Sequence, residues 1–300
     1  MKGIKEFINE PLGDKVFDII VRCLILLGVV VTVYPFIYVV SISLSSGEAI
    51  NKGLVTLLPV DINLDTYKMV IQYKDLWVSY GNTFFYTIVG TAANIVFTCL
   101  AAYPISRSKF FLRKQFNFIL AFTMYFSGGL IPMYIVVTGL GLYNSRLAMI
   151  LPVLVSAYNV MICRSAFESI SEEIFESASI EGANDFVIMT RIAVPLIKPT
   201  LAVLTLYYAV ARYNDFFNAL LYLGKTSLQP LQLFLRRILL MASTEIMQTA
   251  GSATAVSAAA QSTLQVRYVC IVLASIPIVM ICPFIQKYLV KGTMLGAVKG

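Results

Sequence analysis

The sequence has no histidine, and only 13% of its 300 residues are charged. Without imidazole, the commonest zinc and haem ligands and most general acid–base schemes near neutral pH are excluded. Its five cysteines, Cys23, Cys99, Cys163, Cys270 and Cys282, lie in or beside apolar runs with no C-x-x-C spacing. They read as small buried hydrophobes, so no metal and no bound cofactor is expected. A G-x-x-x-x-G-K-[ST] phosphate loop is also missing, so the chain is not expected to hydrolyse ATP itself. Nor do two matching halves of the kind many self-sufficient carriers use stand out. The net charge of +7 comes with no basic patch interleaved with aromatics, so no nucleic-acid partner is expected.

What the chain has instead is apolar length. Hydrophobic residues make up 58% of it, with a mean hydropathy of +0.80, against about 45–50% apolar in ordinary soluble domains. Six runs, near 19–43, 81–105, 115–138, 146–167, 199–223 and 267–290, are each long enough to cross a hydrocarbon core. The expected class is therefore an all-α integral membrane protein in the lipid bilayer, with six transmembrane helices over residues 19–290. Pro152 and Asn159 interrupt the fourth run, a break that membrane helices tolerate where neighbours satisfy the freed backbone. Residues 1–18 mix Lys2, Lys5 and Lys15 with Glu6, Glu10, Asp14 and Asp18 and carry no cleavage site, so a short surface helix is expected there rather than a signal peptide.

Lys and Arg placement sets the orientation. Lys2, Lys5, Lys15, Arg22, Arg107, Lys109, Arg113, Lys114, Arg164, Arg191, Lys198, Lys287, Lys291 and Lys299 fall on one side. Fewer, and mostly in long loops, fall on the other. The richer side is cytosolic, which puts both termini and the loop after span four inside a cell (plasma) membrane protein, with residues 291–300 as a cytosolic tail. Two long outer loops remain: Ser45 to Tyr80, with an amphipathic piece near Met69 to Val78, and Gly224 to Val266, with another at Leu231 to Met241. The Ala/Ser/Thr/Gln-rich run from Gln248 to Gln265 favours a helix over a linker.

The cytosolic loop at 171–195 is the polar island around which the rest is arranged. Ser171, Glu172 and Glu173 make a helix start, with a cap followed by acids at the positive end of the dipole. Ile174, Phe175 and Ala178 share a face; Gly182 suits a left-handed helix ending, and Asn184 and Asp185 can start a second short helix closed by Pro195 and Pro199. A helix–Gly–helix hairpin outside the membrane is expected, a shape suited to docking.

The same residues carry a resemblance. Glu176-Ser177-Ala178, three residues, Gly182, nine residues, Ile192, one residue, Val194-Pro195 is similar to the EAA loop of ABC-importer permeases, departing at Ser177 and Val194. Asn82-Thr83, Arg107, the stretch Tyr213-Asn214-Asp215-Phe216-Phe217-Asn218 and the tail from Lys291 to Gly300 are similar to the second permease subunit of the maltose-type carbohydrate importers, with Tyr213 standing where relatives commonly have Trp. The branch for complex and acidic oligosaccharides is the nearest in pattern. The resemblance implies a type I importer permease fold in which Glu176, Ser177, Ala178, Gly182, Ala183, Ile192 and Pro195 form a coupling helix seated on a cytosolic ATPase. Thr293, Gly296 and Lys299 would touch that ATPase through the tail. It further implies two nucleotide-binding subunits holding ATP and Mg, a second related permease, an extracellular solute-binding protein and an oligosaccharide substrate.

Span five also holds Tyr208, Arg212, Tyr213, Asn214, Asp215 and Asn218. Arg212 and Asp215, at i and i+3, can pair. Two readings stand together for this group: part of the translocation path, or an interfacial brace for span six. At the level of the whole chain, a permease for a non-sugar solute is the alternative within the family. An autonomous channel would not need the hairpin, and a membrane enzyme lacks converging catalytic groups.

Overall fold

The computed structural model describes residues 12–248, 265–277 and 279–280. Among them the regular structure is helical, apart from a single bridge between Ser45 and Ile62. The helices are α1 (Leu12–Leu44), α2 (Gly47–Asn51), α3 (Asp65–Gln72), α4 (Lys74–Ser106), α5 (Arg113–Tyr125), α6 (Leu130–Gly139), α7 (Ala157–Glu168), α8 (Glu172–Ile180), α9 (Asp185–Leu196), α10 (Lys198–Tyr213), α11 (Phe217–Tyr222), α12 (Leu231–Gln248) and α13 (Gln265–Pro277). The chain divides into two compact units. One holds residues 1–72 and 238–275, the other 73–237 and 276–300.

In the first unit, α1 is 33 residues long, a length of about 50 Å that exceeds the roughly 30 Å hydrocarbon core. Its apolar run is bare: Leu24 to Leu27, Val29 to Val31 and Phe36 are all exposed. Among the described residues of its own unit nothing covers this apolar run, the pattern of a helix built to face lipid or another helix. Its far end is polar and buried. The Ser41 hydroxyl donates to the Leu57 carbonyl at 2.7 Å, Ser43 and Tyr67 share a hydrogen bond at 2.8 Å, and the Val60 N–H donates to the Ser45 hydroxyl at 3.0 Å. The Gln265 amide of α13 donates to the Ser45 carbonyl at 2.9 Å. These bonds fold the loop after α1 back onto its helix, over a small core of Ile42, Ala49 and Val55.

The second unit is built on α4, 33 residues with a buried stripe that includes Asn82, Thr83, Tyr86, Gly90, Thr91, Asn94, Thr98, Ala102 and Ile105. The spacing of three or four residues puts them on one side of the helix. The largest core joins Cys99, Ala102, Tyr103 and Ile105 of α4 to Val160, Cys163 and Phe167 of α7, to Phe175 and Ala178 of α8, to Ile188, Met189 and Ala193 of α9, and to Leu204 of α10.

The expected spans meet this structure unevenly. Helices α1 and α4 are continuous and long enough to cross; α5 with α6 bends by 115° and α9 with α10 by 85°. The first bend sits at Gly128-Gly129, where Gly129 adopts a φ of 84° that a side chain would strain. The stretch expected as span four is not one helix: Arg146–Met149 is a 3-10 turn, 150–156 is irregular, and only Ala157–Glu168 is α-helical. Pro152 removes an N–H there, and the Ser156 hydroxyl starts α7 afresh by accepting the Asn159 N–H at 3.4 Å. Span five is cut between Tyr213 and Phe217, and the amphipathic piece near 69–78 is split at Tyr73 between α3 and α4. Of span six only 267–277, within α13, and 279–280 are described; the remainder, and the tail residues Thr293, Gly296 and Lys299, lie outside the described residues.

Candidate functional site

The hairpin is built from local signals. Ser171 occupies the N-cap of α8 with extended backbone but makes no capping bond, contrary to the expectation from its residue type. Glu172 and Glu173 still occupy the first turn, where the dipole favours them. Phe175 and Ala178 are buried, whereas Ile174, expected on the same face, is 39% exposed; Glu176 and Ser177 point outward. At the far end Gly182 has a φ of 83°, its N–H donates to the Ser179 carbonyl at 3.1 Å, and the Ala183 N–H donates to the Ala178 carbonyl at 3.1 Å. That pair of bonds is the Schellman closure, which satisfies the carbonyls a helix end leaves free.

The Asn184 side chain then accepts the Val187 N–H at 2.9 Å and starts α9. Within α9, Ile188–Ala193 is π-helical, a wider turn than the sequence pattern suggests. Ile188, Met189 and Ala193 are buried, Ile192 is half-buried and Pro195 is exposed. Of the seven expected coupling residues, Glu176, Ser177, Gly182 and Pro195 are thus presented at the surface, while Ala178, Ala183 and Ile192 anchor the hairpin from beneath.

Arg107, at the end of α4, holds this hairpin to the rest of the unit. Its guanidinium donates to the Phe167 carbonyl at 2.7 Å and to the Ser106 hydroxyl at 3.1 Å. It lies 3.8 Å from the centre of the Phe175 ring and 5.7 Å from that of Tyr103, and approaches the Glu172 carboxylate at 3.9 Å. Arg113 and Arg164 both pair with Glu168 one helix earlier. Beside Arg107 a cavity of about 440 Å³ opens, lined among others by Phe110, Glu172, Phe175, Glu176, Asp185 and Phe186. The sequence marked Arg107 only as a loop cation and a point of resemblance; its contacts are long-range and invisible to spacing.

The polar groups of span five bond in different directions. The Tyr208 hydroxyl shares a 2.7 Å hydrogen bond with Thr98, and Tyr213 is buried. The Asn214 side chain is exposed and donates back to the Val210 carbonyl at 2.9 Å. The expected Arg212–Asp215 pair is not formed. Arg212 turns to Asn94 at 2.9 Å and to the carbonyls of Met149, Ile150 and Val153. Asp215 instead accepts from the backbone and side-chain amides of Asn218 at 3.1 and 2.8 Å, capping α11. Carbonyls freed by the broken helix outcompete the acid because they already surround the buried guanidinium. Asn94, the other partner, carries a signal that was available: an amide in the middle of an apolar run.

Among the described residues these features define a helical fold with two helices, and two bent helix pairs, apolar enough to cross a membrane, together with a polar hairpin. Residues 94–294 match the family of binding-protein-dependent transport system inner membrane components, and the chain belongs to that family. It is 36% identical to the polygalacturonan/rhamnogalacturonan transport system permease protein YtcP of Bacillus subtilis (strain 168), over 96% of this chain and 99% of that one. It is also 36% identical to protein LplC of the same organism, over the full length of both. Among solved structures it is similar to a bacterial ABC transporter involved in the import of the acidic polysaccharide alginate: the TM-score is 0.83 and the identity 35%, covering 93% of this chain and 98% of the matched one.

Proposed function

We propose that this chain is one of two permease subunits of an ATP-driven importer for complex, acidic oligosaccharides, and that its hairpin at 171–195 is the joint with a cytosolic ATPase. The observation that carries the substrate reading is the full-length likeness to proteins named for polygalacturonan, rhamnogalacturonan and alginate transport. The coupling reading is supported by the hairpin itself: a rigidly closed turn that leaves Glu176 and Ser177 exposed above a buried apolar base. On this reading the chain crosses the membrane six times with both termini inside. The bare α1 meets lipid and the second permease, and an extracellular binding protein delivers the sugar. ATP and Mg sit on the two ATPase subunits, and the tail residues Thr293, Gly296 and Lys299 reach toward them. Within span five, Asn214 is assigned to the pathway side. Tyr208, Tyr213, Asp215 and Asn218, whose polar groups are buried or already engaged, are assigned to bracing.

Glu176 is assigned the role of pairing with a basic residue of the ATPase. Glu176→Lys should abolish uptake of oligogalacturonides and sever ATP turnover from it, because truncating or reversing one partner of a close interfacial charge pair costs about 2–5 kcal/mol. Normal uptake in that variant would remove Glu176 from the joint. The substrate assignment is tested separately, by asking which oligosaccharides stimulate ATP turnover of the complex purified with its binding protein.

A further inference from the structure

Arg212 is buried, 6% exposed, and among the described residues no carboxylate lies within ion-pairing distance of it. A lone guanidinium at that depth is costly unless oxygen acceptors replace its water. Here they do. Nε donates to the Asn94 side-chain oxygen at 2.9 Å, Nη1 to the Met149 carbonyl, and Nη2 to the carbonyls of Ile150 and Val153 at 3.1 Å each. The Asn94 amide completes the set by donating to the carbonyls of Val153 and Leu154 at 2.8 and 2.6 Å. Gly90 leaves the room this needs, since a Cβ there would stand 3.0 Å from Arg212 Nε.

The acceptors are the carbonyls of the irregular stretch that interrupts expected span four. In a continuous α-helix the Ile150 and Val153 carbonyls would accept backbone N–H groups four residues on; here the side chains of Arg212 and Asn94 occupy them. Arg212 is also the penultimate residue of α10, the helix that runs directly out of the hairpin through the 85° bend. One guanidinium therefore ties α10 to α4 and to the unwound stretch at 150–154. Its planar fork reaches four separate acceptor groups at once, one more than the three N–H donors of an ammonium could serve from a single point.

We infer that Arg212, with Asn94, is the positioning residue that carries displacement of the hairpin to the unwound stretch at 150–154, so that this segment moves with the ATPase cycle. Arg212 touches no substrate in this role. The inference rests on the coupling reading above and extends it from the hairpin into the membrane.

The test is amide hydrogen exchange on the complete complex in lipid nanodiscs, with and without trapping by ATP and vanadate. In the unaltered complex both the hairpin (172–196) and the stretch at 150–156 should change their exchange on trapping. In Arg212→Met the hairpin should still respond while the stretch no longer does. Transport per ATP should then fall by about five- to a hundredfold, the range usual for coupling between sites. Arg212→Lys should give a partial loss of both readouts. If Arg212→Met does not assemble, Gly90→Ala takes its place, because it crowds the guanidinium without removing a polar group. A stretch that responds to trapping equally in unaltered and altered complexes, or that ignores trapping while the hairpin responds, overturns the inference. A hairpin that ignores nucleotide in the unaltered complex defeats the coupling reading first, so the two failures are told apart.

Discussion

Removing the charge of Arg107 is the most direct probe of how the hairpin is held. In Arg107→Gln three contacts weaken together. The charge-assisted bond to the Phe167 carbonyl, at 2.7 Å, is worth about 1.5–3 kcal/mol. The stacked cation over Phe175, at 3.8 Å, is worth about 0.5–1 kcal/mol where partly solvated. The approach to Glu172, at 3.9 Å with that side chain 55% exposed, adds only about 0–1 kcal/mol because water screens it. Contacts of one side chain are not additive, so the expected loss is about 2–4 kcal/mol of hairpin docking. Amide exchange reads this locally: protection across 172–196 should drop by about thirtyfold to nearly a thousandfold, at roughly 1.4 kcal/mol per factor of ten. Protection in the middle of α4 should be unchanged. If hairpin protection moves by less than about threefold, Arg107 does not clamp it, and the contacts at Phe167 and Phe175 are incidental.

Two further outcomes follow from the geometry. Gly182→Ala should destabilise the hairpin by about 1–2 kcal/mol through its backbone alone, since the φ is 83° and nothing stands within 4 Å of the added Cβ; Gly182→Asn should cost less, and equal exchange across 178–187 in all three forms would contradict this. Asp215→Ala should fray α11 at a cost of about 1 kcal/mol while leaving the apparent uptake affinity for oligogalacturonides unchanged, because the carboxylate is already engaged by Asn218; a weakened affinity would return Asp215 to the pathway.

The hairpin was readable from the chain because its determinants are local. Gly182 and Asn184 act within three residues of where they stand, and a left-handed turn or a side-chain cap announces itself by residue type. Ser171 shows the limit even there: the right residue at the right position makes no cap. Arg107 and Arg212 were each visible as cations, yet neither set of partners could be read, since Phe167 and Met149 lie some sixty residues away in sequence. For Arg212 the nearest acid in sequence suggested a pair, while the structure offers a ring of carbonyls that exists only because the chain around Pro152 does not continue as a helix. The stripe of Thr91, Asn94 and Thr98 on α4 was the overlooked signal, polar residues at helical spacing inside an otherwise apolar run.

The π-helical segment at Ile188–Ala193 has a consequence of its own. A turn closed five residues apart holds one residue more than an α-turn needs, and such turns are rarely favoured except where a site uses them. The second arm of the hairpin therefore carries a spare residue of slack between the turn at Gly182 and Pro195. Taking up that slack would rotate Val194 to Leu196 by about 100°, the angle of one residue in an α-helix, and so re-aim the chain where it enters the 85° bend into α10. An arm built this way can change register by one residue and remain a helix.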